Sequence, residues 1–208
     1  MKNNSCNLYL VRHGETDWNK LKKLQGSTDI PLNDEGKEQA KALKEHFKDI
    51  SFDAVYSSDL QRARETAEII SDGIGLSVET TPDLRERSWG EYEGTCFDDL
   101  RLKFGSDFHP IIEEFDPDFS AMHPDLKQVE SYKASMERVI PVLKDIKSNF
   151  AGKSVLVVSH GGVLKGLLLY LKLQEFTRPY VNNTAYLHLE VHDTHFTLKS
   201  HRGVLNHT

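Results

Sequence analysis

The sequence predicts an α/β fold: a mostly parallel central sheet with helices on both faces, a three-layer α/β/α sandwich. Three observations lead there. Short apolar runs rich in Val, Leu and Tyr alternate with longer segments of helical period. The run Val155-Leu156-Val157-Val158-Ser159 has the continuous apolar character of a strand buried on both faces. The intervening segments open at recognisable helix starts.

Taken in order, strands are expected over residues 8–12, 54–57, 77–80, 154–159, 185–191 and 196–200. The last two form a hairpin around His192-Asp193-Thr194. A first helix starts at Asn33, ahead of Asp34-Glu35, and carries the apolar stripe Ala40, Leu43 and Phe47. A second starts at Ser58 ahead of Asp59, and a third at Glu130-Ser131 and reaches Ile146. A fourth follows Gly161-Gly162 and buries Val163, Leu167 and Tyr170. The stretch 104–127 is rich in Pro, Asp, Glu and Phe and reads as a long excursion over the candidate site; the plainer reading is a solvated acidic loop.

A length of 208 residues suits one domain over 1–208, with an insertion at about 96–130. Hydrophobic residues at 38% and charged residues at 28% leave room for a buried core. The formal charge of -6 argues against a nucleic-acid partner, because backbone binding needs clustered Lys and Arg. Cys6 and Cys96, far apart, suggest neither a disulfide framework nor a zinc site. Residues 1–7 lack the apolar run of a signal peptide, and the apolar stretch 163–173 is short and broken by Lys165 and Lys172. The expectation is a cytoplasmic protein with no membrane partner; the oligomeric state stays open.

Four constellations ask for chemistry. Arg12-His13-Gly14 ends one predicted strand and His160-Gly161-Gly162 ends another, where open α/β sheets place their ligand crevices. Either histidine alone reads as a core residue satisfied by hydrogen bonds; the shared placement at one sheet edge points to a site, with Gly14 allowing close approach to a bound group. Arg62 falls in the first turn of a helix, where free N–H groups and the dipole suit a dianion, although a surface pairing with Glu65 is the plainer account. In Leu84-Arg85-Glu86-Arg87 a carboxylate is flanked by cations. His188, His192 and His195 are expected to face solvent rather than bind metal, since His188 and His192 stand about 13 Å apart on an extended strand. Ser159 lacks the preceding glycine of a nucleophile elbow.

These residues carry a resemblance. Residues 10–19, LVRHGETDWN, are similar to the signature of the histidine phosphatase, or phosphoglycerate mutase, superfamily. The similarity continues through QGSTDIPLNDEGKEQA, SSDLQRARETA, LRERSWGEYEG and VLVVSHGGVLKGLL in that order. The resemblance implies a phosphoglycerate mutase-like fold and a metal-independent phosphomonoesterase without cofactor, acting on a small phosphate monoester. It makes His13 the nucleophile that becomes phosphohistidine, Arg12, Arg62 and His160 the phosphoryl-binding groups, and Glu86 the proton donor to the leaving oxygen. Asn19, Gln25, Gly26 and Gly161 match substrate-binding positions. Glu130-Ser131 matches a Glu-Ser helix start, with Lys127-Gln128-Val129 where glycines are usual.

Within that family a mutase is the alternative, but mutases usually read Gln-Ser where this chain has Glu15-Thr16. A phosphate-binding module without turnover is a third reading. The carboxylates of 104–127, together with Phe104, Phe108, Phe115, Phe119 and Met122, are expected to form a rim that favours monophosphates of low additional charge.

Overall fold

The computed structural model describes residues 4–118, 122–173, 175–176 and 178–206. Its centre is a six-stranded sheet of β1 (Cys6–Arg12), β2 (Ala54–Ser58), β3 (Val78–Thr81), β4 (Ser154–Ser159), β5 (Pro179–Val191) and β6 (Phe196–Asn206). The order across the sheet is β3-β2-β4-β1-β5-β6. The first four strands run parallel, and the β5–β6 hairpin adds an antiparallel edge.

Alternation along β4 explains the three layers. Val155 and Val157 face one side, packing with helices α6 (Tyr132–Asn149) and α7 (Gly161–Leu171) through Val139, Leu143 and Leu167. Leu156 and Val158 face the other, against α2 (Asp34–His46) and α3 (Gln61–Ser71) through Leu43, Phe47, Ala63 and Ala67. Each central residue is thus withdrawn from water by a helix above or below, at about 1.5–3 kcal/mol per fully buried side chain. A short helix α1 (Asp17–Lys20) follows β1. Among the described residues no helix is long and apolar enough to cross a membrane.

Several expectations change. The segment 104–127 is not a loop: α4 (Phe97–Phe104), the 3-10 turn Gly105–Asp107, α5 (Phe108–Glu113) and the 3-10 turn Pro124–Gln128 occupy most of it. Leu100, Phe104, Phe108 and Ile111 recur at helical spacing and close a separate apolar cluster with Leu24, Trp89, Tyr92, Leu126 and Val129. The surrounding Asp, Glu and Pro masked that period. The helix expected from Ser58 starts at Gln61, because Ser58 still belongs to β2. Tyr170 is 42% exposed instead of buried. β5 begins six residues early, at Pro179; a register shift between Val181 and Tyr186 interrupts its pairing, so Asn182-Asn183-Thr184 reads as a loop in sequence.

Candidate active site

The two histidines meet because their strands are neighbours in register. Arg12 pairs with Ser159 across the β1–β4 ladder, and the backbone N–H of His13 donates to the Ser159 carbonyl at 3.0 Å. His13 and His160 therefore leave the same sheet edge side by side, with ring centroids 5.2 Å apart. Gly14, which was expected to admit a ligand, instead admits helix α2: a Cβ there would lie 2.4 Å from the Gly36 carbonyl oxygen.

His13 is buried, and its Nδ1 lies 2.7 Å from the Gly14 carbonyl oxygen. A carbonyl only accepts, so the ring proton sits on Nδ1 and the Nε2 lone pair is left to face the cavity. Arg62 donates from Nε to that Nε2 at 3.3 Å and anchors its fork on the carbonyls of Thr28 (2.9 Å) and Gly26 (2.8 Å). Arg62 is fully buried, not a surface partner of Glu65, which instead accepts from Leu32 N–H and Gln61. Burial lowers the Arg62 pKa to about 10, still far above neutrality.

Arg12 donates to the Val181 carbonyl, the start of the β5 irregularity. Two groups from that irregularity secure the His13 segment: Asn183 Nδ2 and Thr184 N–H both donate to the His13 carbonyl, at 3.2 and 3.3 Å. Neither was anticipated, and a lone Asn-Asn-Thr run offers no periodic signal. Asn19 closes a capping box with Thr16, and its Oδ1 also accepts from Asn183.

Glu86 reaches in from the segment after β3. Its Oε2 accepts from Gly162 N–H and its Oε1 from Arg87 N–H, both at 2.9 Å. A Cβ at Gly162 would stand 2.2 Å from the Glu86 carboxylate and would displace it from this position. Arg85 turns away into a bidentate pair with Asp59 at 2.7 and 2.6 Å. Arg12, His13, Asn19, Gln25, Gly26, Arg62, Glu86 and Gly161 thus all line one cavity of about 490 Å³, with His160 against its floor.

Among the described residues, the buried side-chain atoms without a hydrogen-bond partner are Arg12 Nε, Gln25 Oε1, both ring nitrogens of His160, and Nε and Nη2 of Arg87. All belong to this cavity or its floor. Buried polar groups are otherwise nearly always satisfied, so such a concentration marks a ligand site rich in donors. His13 and His160 are held well below their ordinary pKa near 6.5, first by burial and then by Arg62 and the neighbouring cations. As pH falls below about 6.5 the unfolded chain therefore binds protons that the folded chain refuses, and stability present above that pH is lost at up to about 1.4 kcal/mol per pH unit for each histidine. Thermal melts between pH 7.5 and 5 should show a falling Tm, less steep in His160→Gln; identical slopes in both proteins would contradict the neutral state of His160.

The outer wall departs from expectation. Among the described residues, Glu113 is the one carboxylate of 104–127 that lines the cavity; Asp116 pairs with Lys133 and Asp125 with Lys103 on the exterior. Phe104 and Phe108 are buried in the separate cluster, Met122 packs against it, Phe115 packs on the main core, and Phe119 lies outside the described residues. The wall is instead cationic, with Lys22, Lys23, Arg87 and Lys165. Arg87 is 1% exposed, its guanidinium 4.5 Å from the Trp89 ring and 4.4 Å from the Tyr132 ring. Burial lowers the pKa of Lys165, whose interruption of the apolar sequence of α7 was the available clue. His188, by contrast, stacks on Tyr9 at 4.3 Å and contacts Asn7, while His192 and His195 stack on each other at the distant hairpin turn.

The family model described as histidine phosphatase superfamily, branch 1, matches residues 8–203. The chain belongs to that superfamily. It is similar to the uncharacterized phosphatase PhoE of Bacillus subtilis strain 168, 35% identical over 159 residues, which cover 76% of this chain and 74% of that protein. The metal-independent phosphoserine phosphatase of Arabidopsis thaliana is 38% identical over 167 residues, covering 78% and 67%. Among solved structures, phosphoglycerate mutase from Bacillus anthracis str. Sterne superposes with a TM-score of 0.85 at 30% identity, covering 96% and 93%. The fold of this histidine phosphatase is accordingly phosphoglycerate mutase-like.

Proposed function

We propose that this protein is a metal-independent phosphomonoesterase that works through a phosphohistidine on His13. The observation that carries the reading is the His13 imidazole, its proton on the Gly14 side and its Nε2 beside the Arg62 guanidinium. Nε2 attacks phosphorus in line, the ester P–O bond breaks, and Glu86 in its acid form gives its proton to the departing alkoxide. Water then attacks the phosphohistidine, Glu86 takes its proton, and the P–N bond breaks to release phosphate. Arg12, Arg62 and His160 spread over the equatorial oxygens the charge stabilisation that metal ions supply in other enzymes. Asn19, Gln25 and the Gly26 and Gly161 backbone complete the phosphate cradle.

For the remainder of the substrate, the unpartnered Nε and Nη2 of Arg87, with Lys165, favour an alcohol that carries a carboxylate. This replaces the low-charge substrate expected from the acidic excursion, and agrees with the phosphoserine named for the Arabidopsis relative. The similarity to a phosphoglycerate mutase keeps return of the phosphoryl group to a second hydroxyl as the alternative.

The test is a panel in EDTA: phosphoserine, p-nitrophenyl phosphate and 3-phosphoglycerate, scored for free phosphate and for interconversion of phosphoglycerates. Release of phosphate with the highest kcat/KM on a carboxylated ester is expected. Arg87→Gln should lower the efficiency ratio of phosphoserine to p-nitrophenyl phosphate about tenfold or more, the size of one charged hydrogen bond. Interconversion without net release would establish the mutase, and an unchanged ratio would remove Arg87 from substrate recognition.

A further inference from the structure

Glu86 sits on a stretch of backbone that has no ladder of its own. It lies between the 3-10 turns Pro82–Leu84 and Gly90–Tyr92, so its carbonyls depend on side chains for partners. One guanidinium from α6 meets most of that need. Arg138 Nη1 donates to the carbonyls of Asp83 and Arg85, both at 2.8 Å, and Nη2 to that of Glu86 at 3.2 Å. Its Nε and Nη2 also grip the two oxygens of Glu130 at 2.9 Å each. All five N–H directions of the fork are thereby used. Glu130 closes the ring: its Oε2 accepts from Ser88 N–H at 3.0 Å, and its own N–H donates to the Ser88 carbonyl at 2.9 Å.

We propose that Arg138 and Glu130 are positioning residues for the reaction, a brace from α6 that fixes the backbone of 83–88 and thereby the reach of the Glu86 carboxylate; the inference rests on the acid role given to Glu86 above. The brace clasps the segment on both sides of Glu86. Ser159 adds a tie from β4, donating its hydroxyl to the Leu84 carbonyl at 2.8 Å. The acid is thus held in the same frame as the two histidines. Among the described residues the hydrogen-bond donors to the carboxylate are two backbone N–H groups, those of Arg87 and Gly162, and the first of these moves with the braced segment. A shift of a fraction of an ångström there separates Glu86 from Gly162 and from the leaving oxygen, while His13, Arg12 and Arg62, carried by β1 and α3, remain in place. Proton transfer to the leaving group is the step that suffers.

A structural lesion and a positioning lesion differ in leaving-group dependence. The comparison uses ethyl phosphate, whose alkoxide needs a proton, and p-nitrophenyl phosphate, whose phenolate hardly does. Arg138→Lys keeps the charge and the helix but has no fork to hold three carbonyls; Glu130→Gln leaves the fork and loosens its anchor. In protein of native melting behaviour, both are expected to lower kcat/KM for ethyl phosphate about tenfold or more beyond the loss on p-nitrophenyl phosphate, part of the 10²- to 10⁴-fold that a general acid contributes. Glu86→Gln, measured alongside, should show the full effect, and Arg138→Lys added to it should bring no further leaving-group dependence. Equal losses on both esters, or none, in the two brace variants while Glu86→Gln discriminates would overturn the positioning role alone. Equal losses in Glu86→Gln itself would overturn the acid role, and the brace's catalytic role with it.

Discussion

Replacing His13 by alanine is expected to lower kcat by roughly 10⁴- to 10⁶-fold, the scale seen when an enzyme loses its nucleophile. The imidazole is buried next to two guanidiniums, neither of which offers a lone pair for attack on phosphorus. The fold should survive. The His13 backbone is held by Ser159, Asn183 and Thr184, none of which uses the ring. Denaturation with native cooperativity, together with loss of an acid-labile, base-stable phosphoenzyme, would meet the expectation, and EDTA should alter neither the wild-type rate nor the trapped species. Activity within tenfold of wild type in a well-folded His13→Ala protein would eliminate the phosphohistidine route.

Arg62→Lys is expected to reduce kcat/KM by about 10²- to 10³-fold, as when one donor to a developing oxyanion is removed. Lysine keeps the charge yet cannot reproduce the fork. The side chain must reach the Gly26 carbonyl, the Thr28 carbonyl and His13 Nε2 at once, with both carbonyls on the loop that also carries Gln25. Losing those anchors leaves carbonyls unpaired, at about 1–3 kcal/mol for each that stays buried. A lower Tm should therefore accompany the lost rate, with KM for every ester rising together because all present the same phosphoryl group. A selective loss on one ester would assign Arg62 to recognition of the alcohol instead.

The pH behaviour of turnover follows from the same burial. In the proposed mechanism His13 attacks as the neutral ring; its pKa is depressed by burial, by Arg62 and by Arg12, so its protonation is not expected to limit the rate near pH 6.5. The cations proposed to hold the substrate also keep the His13 ring neutral.

Local signals made much of this protein readable. Apolar runs with neighbouring helix starts located β1, β4, α2 and α6, because a strand buried on both faces and a capped amphipathic helix each leave a pattern within ten or so residues. His13 and His160 were legible as a pair because each ends such a strand. The helices of 97–113 were hidden because their apolar stripe is narrow and set among Asp, Glu and Pro.

What the sequence by itself determined was the class of fold and, through the resemblance to the superfamily, the residues proposed to face phosphate, since both depend on residue types at short spacing. Only the tertiary structure decided where the charges of the outer wall point. The acidic stretch turns most of its carboxylates to solvent or to Lys133 and Lys103, while Arg87 and Lys165, drawn from two separate segments, are driven inward beside Tyr132 and Trp89. The same holds for the Arg138–Glu130 brace, whose acceptors lie 52 to 55 residues from the arginine. Desolvating a guanidinium is tolerable only where fixed acceptors or aromatic faces receive it, and those are assembled by long-range packing.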